Sequence, residues 1–279
     1  MSVLEALEYA ASRLEEAGLE HPEREASALL EELLGVSRSE LLLSRTRTLS
    51  TDELAWFRTW LERRAAREPL QHVVGVAHFY DLKLSVSPDV LVPRPETERL
   101  VELGLEAVRN VLEPNILDVG TGSGAVALAL KAERPDAAVW ATDLSEKALE
   151  VASRNADRLN LNVTFVRADL LADPTVQAFA ERADLLITNL PYLPEADAAW
   201  LSPEVQRDPA SALSSGRDGL GHARRLLEQA ATLLKPGATC LLELDPRNVR
   251  QAEIEVGGWA EVVVLPDLVG RERFLKLKR

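Results

Sequence analysis

The sequence predicts an α/β protein with a mostly parallel β-sheet, a small helical bundle before it and an antiparallel hairpin at its C-terminal end. From residue 115 onward, runs rich in Val, Ile and Leu alternate with helical patterns, which is typical of a parallel sheet buried on both faces. The last two runs, 261–266 and 273–278, are too close together for a parallel crossover and should pair antiparallel. Residues 1–68 show helical spacing of leucines throughout. The alternation of strands and helices from residue 115 predicts that the sheet has Rossmann-like winding.

End signals delimit the helices of the N-terminal part. Pro22 suits the first turn of a helix that Gly35 would end, and Ser50 and Glu53 have the spacing of a capping box. Pro69 should end the helix that begins there. We expect the bundle core to contain three aromatic residues of that helix: Trp56, Phe57 and Trp60.

Three segments follow from these patterns. Residues 1–70 form the helical bundle, and residues 71–98 form a β-hairpin and a proline-rich linker. The hairpin consists of two short strands within residues 72–88 that turn near Asp81. Residues 99–279 form the α/β domain.

Composition excludes several classes of protein. The chain has 279 residues and a net charge of −13, and no basic face for phosphate contacts is visible, so we expect no direct binding of nucleic acid. No apolar stretch approaches the ~18 residues that span a bilayer, so we expect no membrane association. The single cysteine, Cys240, suits a buried strand, and the four histidines lack metal-ligand spacing. From this composition we expect a cytoplasmic protein without a metal site.

A glycine loop joins the first parallel strand to a helix in "ILDVGTGSGAVALAL". Gly120, Gly122 and Gly124 permit a tight turn and close approach of the backbone to a ligand. With Ala125, the run also fits the G-x-G-x-x-A pattern of dinucleotide-binding proteins. The loop alone therefore leaves open a nicotinamide cofactor or S-adenosylmethionine (SAM).

Acidic residues end the next two strands. Asp143 lies about 20 residues beyond the glycines, where a carboxylate can accept hydrogen bonds from both ribose hydroxyls. Ser145 suits the N-cap of the following helix, which would leave Asp143 free for the ribose. Asp169 and Leu170 end the third strand and should lie near the adenine, the first as an acceptor and the second as an apolar wall.

The fourth strand ends in Asn189, Leu190, Pro191 and Tyr192, on the same edge of the sheet. These are common turn residues, but the stretch resembles the (Asp/Asn)-Pro-Pro-(Tyr/Phe) motif of methyltransferases that modify planar, conjugated nitrogens. The asparagine oxygen and a backbone carbonyl can accept the two hydrogens of such a nitrogen, and the aromatic ring can stack on the flat group. Leu190 stands where the motif usually has proline, and it still supplies a backbone carbonyl ahead of Pro191.

Longer segments carry a more specific resemblance. The sequence is similar, from about residue 1 to its C-terminus, to the peptide chain release factor glutamine N5-methyltransferases (the HemK/PrmC family). The segments "VPRPETE", "DPASAL" and "GRDGL" are particular to that family. The stretch "LELDPRNV" is a second departure, since relatives more often have glycine near Asp245 and glutamine near Asn248, and we expect this stretch to lie away from the chemistry.

The resemblance implies methyl transfer from SAM to the amide N5 of the glutamine in the Gly-Gly-Gln motif of class I release factors, with S-adenosylhomocysteine as product and no metal. It implies that Asn189 and Tyr192 are catalytic and that the substrate glutamine contacts Asn189, Leu190, Pro191 and Tyr192. The residues assigned to SAM are Gly120, Thr121, Gly122, Ser123, Gly124, Asp143, Asp169, Leu170 and Asn189. The "PRPETE" loop, with Arg94 and Glu96, should lie over the active site. The bundle is implied to dock release factors, and the protein to act as a monomer.

The sequence leaves four other functions open. The same site could methylate a ribosomal-protein glutamine, or a nucleic-acid amino group on a base flipped out and stacked on Tyr192, although the acidic charge opposes the latter. A nicotinamide oxidoreductase is disfavoured by the end hairpin and by the Asn-Leu-Pro-Tyr stretch. A SAM-binding scaffold inactivated by Leu190 is disfavoured because Asn189 and Tyr192 are intact.

Overall fold

The structure, a computed structural model, describes residues 1–279, with the side chain of Ala198 excepted. The chain forms two compact units. The first consists of Met1–Val76 and Ser202–Arg207, and the second of Ala77–Leu201 and Asp208–Arg279. None of the helices over the described residues is long and apolar enough to cross a bilayer.

Five helices make up the first unit. They are α1 (Val3–Glu16), α2 (Pro22–Leu34), α3 (Arg38–Leu43), α4 (Thr51–Ala65) and α5 (Leu70–Val74). The capping box predicted at Ser50 and Glu53 is confirmed, because each side chain bonds the backbone N–H of the other. Pro22 begins α2, and Gly35 ends it in the left-handed conformation.

Three predictions for this unit are wrong: the burial of Trp56, the start of the first strand and the end of the helix at Pro69. Trp56 is 60% exposed, whereas Phe57 is fully buried and Trp60 partly so. Phe57 and Leu61, four residues apart, supply the buried face of α4, and Trp56 lies about 100° round the helix from that face. The first strand of the predicted hairpin also begins later than expected, because residues 72–74 belong to helix α5.

The ends of helices α4 and α5 explain the errors at Pro69 and in the first strand. Helix α4 ends at Ala65, four residues before Pro69, and Pro69 is instead the N-cap residue of α5. Gly75 ends α5 in the left-handed conformation, so the strand can begin only at Val76. The hairpin itself is confirmed, and it turns at Tyr80 and Asp81, which both have positive φ.

The second unit contains that hairpin, apart from its first residue, and a seven-stranded sheet. The hairpin strands are β1 (Val76–Phe79) and β2 (Leu82–Ser85). The sheet strands are β3 (Asn115–Val119), β4 (Ala138–Asp143), β5 (Thr164–Arg167), β6 (Leu185–Thr188), β7 (Thr239–Glu243), β8 (Glu261–Pro266) and β9 (Glu272–Lys278). Their order is β5-β4-β3-β6-β7-β9-β8, parallel from β5 to β7 and antiparallel at β9 and β8. The predicted Rossmann-like sheet with an antiparallel C-terminal hairpin is confirmed.

Helices cover both faces of this sheet. They are α6 (Glu96–Ala107), α7 (Ala125–Glu133), α8 (Glu146–Leu159), α9 (Pro174–Ala180), α10 (Gly221–Leu233) and α11 (Val249–Glu255). Alternate residues of each central strand enter two separate cores: Leu186 packs on one face, and Leu185 and Ile187 pack on the other. Cys240 is buried in the first of these cores, as predicted.

Candidate active site

A cavity of about 500 Å³ opens in the second unit, where the carboxyl ends of β3, β4, β5 and β6 meet. Open parallel sheets bind ligands at this edge. The cavity is lined by most of the residues that the sequence singled out: Gly120, Thr121, Gly122, Ser123, Asp143, Asp169, Leu170, Asn189, Leu190 and Pro191. Pro93, Arg94 and Thr97 of the "PRPETE" segment also line it. Gly124 and Tyr192 do not.

The glycine loop is tied to the neighbouring strand and leaves one glycine open to the cavity. Backbone N–H groups of Gly120 and Thr121 both donate to the carbonyl oxygen of Thr142, at 2.8 and 2.9 Å. Gly122 has a φ of +55°, and a Cβ there would meet no atom within 4 Å. Gly124 is different, because a Cβ would lie 3.1 Å from the Cβ of Ala152 on α8. It therefore permits close packing of α7 on α8, and ligand contact is left to the preceding residues.

Asp143 organises the site with both carboxylate oxygens. Oδ1 accepts from the N–H of Ser145 at 2.8 Å, and Oδ2 accepts from the N–H of Gly122 at 2.9 Å. Ser145 caps α8 as predicted, since its hydroxyl accepts from Ala148 N–H. Burial raises the pKa of Asp143, and the backbone donors oppose that rise. Each oxygen keeps a further lone pair, so the carboxylate can still accept from a diol.

Strand β5 ends at Arg167, so Asp169 and Leu170 follow the strand instead of ending it, and they supply a half-exposed ion pair and a buried apolar side chain. The carboxylate of Asp169 accepts from the Arg225 guanidinium at 2.7 Å, with both side chains about half exposed. Leu170 is buried and adopts a positive φ of 54°, which turns the chain beside the cavity. Apolar contact from Leu170 and a partly exposed acceptor from Asp169 are thus available together.

Asp118 is a cavity residue that the sequence reasoning missed. It lies on β3, is 1% exposed, and its Oδ2 accepts from the Thr121 hydroxyl at 2.7 Å. Burial is the main reason that the pKa of Asp118 rises to about 7. The signal was present, because a carboxylate inside a buried apolar strand is rarely placed there by packing alone.

Asn189 is held by a residue of the "PRPETE" segment. Its Nδ2 donates to the Oγ1 of Thr97 at 3.0 Å, and its Oδ1 accepts no hydrogen bond from the described residues. Arg94 of the same segment pairs with Asp208 at 2.8 Å. The segments "PRPETE" and "DPASAL" therefore meet at the cavity, and the asparagine oxygen is left available to a ligand.

Tyr192 is held mainly through its backbone. The Nδ2 of Asn248 donates to the carbonyl oxygens of Tyr192, at 3.2 Å, and of Asp218, at 3.3 Å. A Cβ on Gly219 would lie 2.1 Å from the Tyr192 oxygen, so only glycine fits there. The expectation that the "LELDPRNV" stretch lies away from the chemistry is wrong at Asn248, because this side chain supports the loop of the Asn-Leu-Pro-Tyr stretch.

The Tyr192 ring packs against the core on one face of the sheet. Burial, followed by the charge of Glu243, raises the pKa of its phenol. No group of three or more His, Cys, Asp or Glu side chains among the described residues could hold a metal ion.

Comparisons with known proteins agree with this geometry. Residues 5–75 match the family model of the PrmC N-terminal domain, and residues 116–207 match that of a methyltransferase domain. The chain is 47% identical to the release factor glutamine methyltransferase of Deinococcus radiodurans, over 100% of this chain and 99% of that protein. It is 38% identical to the Bacillus subtilis protein of the same name, over 98% and 96%.

Solved structures show the fold. The catalytic domain of hMettl16, in complex with the MAT2A 3'UTR hairpin 1, aligns with a TM-score of 0.56 at 14% identity. The alignment covers 85% of this chain and 83% of that chain. At this identity the likeness concerns the arrangement of strands and helices alone.

Proposed function

Because the chain belongs to the release factor glutamine methyltransferase family, we propose that it transfers a methyl group from SAM to the side-chain N5 of the Gly-Gly-Gln glutamine in class I release factors. The observation that carries the chemistry is the orientation of Asn189. Its amide nitrogen is committed to Thr97, and its amide oxygen remains available at the cavity. An available acceptor is what a donor such as a glutamine NH₂ group requires.

The cavity residues fit SAM on two observations. Gly122 leaves open space where a Cβ would stand, so backbone can approach the ligand closely. Asp143 lines the cavity with lone pairs available to a ribose diol, and Leu170 offers an apolar wall for a flat base. We assign the cofactor to these residues together with Gly120, Thr121, Ser123, Gly124, Asp169 and Asn189, with Gly124 acting through the packing of the loop. Bound there, SAM supplies an electrophilic methyl group on a positively charged sulfur.

The chain's own contribution is to orient a poor nucleophile. An amide nitrogen is weakly nucleophilic because its lone pair is delocalised into the carbonyl group. In the proposal, Asn189 Oδ1 and the backbone carbonyl of Leu190 accept hydrogen bonds from its two N–H groups, which fixes the nitrogen and favours charge development on it. The methylated nitrogen then releases one of these two protons to solvent and becomes a neutral secondary amide. The Leu190 carbonyl precedes Pro191, whose ring restricts the Leu190 backbone to extended geometry.

Tyr192 has two separable parts in the proposal. Its backbone carbonyl, bonded by Asn248, keeps the loop in place. Its ring is assigned to stacking on the substrate amide, which requires the ring to turn from the core towards the cavity. Pro191 already lines the cavity beside it.

The helical bundle is proposed to dock the release factor. Leu42 and Leu43 on α3 are exposed, the second by 88%, although the bundle has a complete core of its own. Exposed apolar side chains of this size suit contact with another protein. Leu43→Ser should raise the KM for intact release factor and leave the KM for a short Gly-Gly-Gln peptide unchanged. Equal KM values for wild type and variant on the intact protein would argue against docking at α3.

The chemistry is tested at Asn189. Asn189→Ala should abolish methyl transfer to release factor, while calorimetry still detects SAM binding, because the glycine loop and Asp143 remain. Asn110→Ala is the matched control, since Asn110 is an exposed turn residue. Near-normal turnover by Asn189→Ala would contradict the proposed mechanism. A substrate panel with ribosomal proteins and RNA separates the proposed substrate from the alternatives.

A further inference from the structure

A buried carboxylate lies next to Asn189 on the neighbouring strand. Strands β6 and β7 are parallel, and Thr188 is paired with Leu242. The residues that follow, Asn189 and Glu243, therefore lie side by side at the edge where the cavity opens. Glu243 is only 1% exposed, and the proposed methyl transfer gives it no role.

Glu243 is poorly compensated for a buried acid. Neither carboxylate oxygen has a hydrogen-bond partner of regular geometry in the described residues. The closest cation, Nη1 of Arg273 on β9, lies 3.7 Å from Oε1, and Arg273 also pairs with Asp267 at 3.4 Å. An acid in this position costs folding free energy, so its presence calls for a function.

Thr97 connects this acid with Asn189. The Thr97 side chain is buried, and its oxygen accepts from Asn189 Nδ2 at 3.0 Å. Its single hydroxyl hydrogen is then left for another acceptor. The carboxylate of Glu243, beside Asn189 on the neighbouring strand, is the acceptor that we assign to it, and the Thr97 hydroxyl and the Tyr192 phenol both lower the pKa of that carboxylate. Three groups thus form a directed sequence of donors and acceptors.

We propose that Glu243 and Thr97 are positioning residues that fix the Asn189 side-chain amide with its nitrogen towards Thr97 and its oxygen towards the substrate. The ionised carboxylate can only accept hydrogen bonds, so the Thr97 hydroxyl donates its hydrogen bond to Glu243. The Thr97 oxygen must then accept a hydrogen bond from the asparagine nitrogen. The inference rests on the proposed function, and its tests below separate the two.

The opposite orientation would be unproductive. If Glu243 carried a proton or were replaced by a group that donates, the Thr97 hydroxyl could turn and donate to Asn189 Oδ1. The asparagine NH₂ group would then face the NH₂ group of the substrate glutamine, donor against donor. An amide is nearly symmetrical in shape, so only its hydrogen-bond partners decide which way it points.

Protonation of Glu243 gives the orientation a pH dependence. Burial is the largest cause that raises the pKa of Glu243 to about 7. The charged and titratable groups facing it are Arg273 on β9, Glu96 on α6 and the Tyr192 phenol. Asp245 lies two residues after Glu243, and Asp267 forms an ion pair with Arg273. The value of kcat should therefore fall as the pH drops through about 7.

Steady-state kinetics with release factor tests the inference. Glu243→Gln and Thr97→Val should lower kcat by about 10-fold to 100-fold, the range for a misoriented buried hydrogen-bonding group, with little change in KM for SAM. Thr97→Ser restores the hydroxyl and should recover most of kcat. Glu228→Gln, on an exposed part of α10, is the matched control. Asp118, whose pKa is also about 7, lines the cofactor cavity, and its titration should appear in KM for SAM.

NMR gives a readout that does not depend on turnover. The side-chain NH₂ signals of Asn189, assigned from their loss in Asn189→Ala, should shift with a midpoint near pH 7 in the free protein. The same signals should be independent of pH in Glu243→Gln. A pH-independent signal in the wild type, unchanged kcat in Glu243→Gln, or equal loss in Thr97→Ser and Thr97→Val would each overturn the inference. If the wild type fails to methylate release factor, the proposed function fails, and the NMR titration still decides the orientation.

Discussion

Replacement of Gly219 by alanine should damage the Asn-Leu-Pro-Tyr loop far more than replacement of Gly216, three residues earlier. Both glycines have positive φ, +79° and +74°. An alanine Cβ at position 219 would lie 2.1 Å from the Tyr192 carbonyl oxygen, whereas at position 216 it would meet nothing within 4 Å. Both variants therefore carry the free-energy cost of a non-glycine residue at positive φ, and only Gly219→Ala adds a steric clash with the Tyr192 carbonyl oxygen.

The magnitudes follow from those two terms. A non-glycine residue in the left-handed region costs about 1–2 kcal/mol, so Gly216→Ala should lose that much free energy of unfolding. Overpacking against a backbone atom adds about 1–3 kcal/mol, so Gly219→Ala should lose about 2–5 kcal/mol. The clash must also displace the Tyr192 carbonyl from Asn248, so kcat should fall in Gly219→Ala alone.

Urea unfolding followed by tryptophan fluorescence, together with kcat on release factor, measures both effects. Trp140, stacked on Phe179 at 4.6 Å between ring centroids, reports on the second unit. Equal stability and equal turnover in the two variants would refute the claim that Gly219 is required by the Tyr192 backbone.

Three further predictions concern other parts of the molecule. Folding raises the pKa of Glu243 from 4.5 to about 7, so the wild type loses stability as the pH rises from 4.5 to 7. Glu243→Gln should avoid this loss of about 2–4 kcal/mol above pH 7 and should be no more stable than the wild type below pH 4.5. Urea unfolding across this pH range would contradict the prediction if the difference in unfolding free energy between the two proteins did not change with pH. Leu190→Pro should keep kcat/KM within a few-fold, because the Leu190 N–H makes no hydrogen bond in the described residues and the carbonyl is retained; a large loss would show that the leucine side chain is needed. Phe57→Ala should cost the bundle about 3–5 kcal/mol and Trp56→Ala less than about 0.5 kcal/mol, a contrast that thermal unfolding checks and that similar losses would disprove.

The fold was accessible from the sequence because its signals are local. Alternating apolar strands and helical patterns predicted the parallel sheet, and the short gap between the last two runs predicted the hairpin of β8 and β9. The glycine loop, Asp143 and Asn189 follow strand ends, and parallel strand ends meet at one edge. The strand pattern thus carries both the sheet and the location of the cavity.

The remaining parts of the site depend on contacts between distant segments. Thr97 and Asn189 are 92 residues apart, and Asn248 reaches Tyr192 across 56 residues. No spacing rule links such pairs, so the sequence did not assign Thr97, Asn248 or Glu243 to the site. Trp56 was misplaced for another reason, since aromatic character does not decide which side of a helix is buried.

Mass spectrometry of purified release factor, after incubation with this protein and isotopically labelled SAM, tests the proposed methyl transfer most directly. One labelled methyl group on the glutamine of the Gly-Gly-Gln peptide, absent with Asn189→Ala, is the predicted result. An unlabelled glutamine, under conditions where calorimetry shows that the protein binds SAM, would contradict the proposed function.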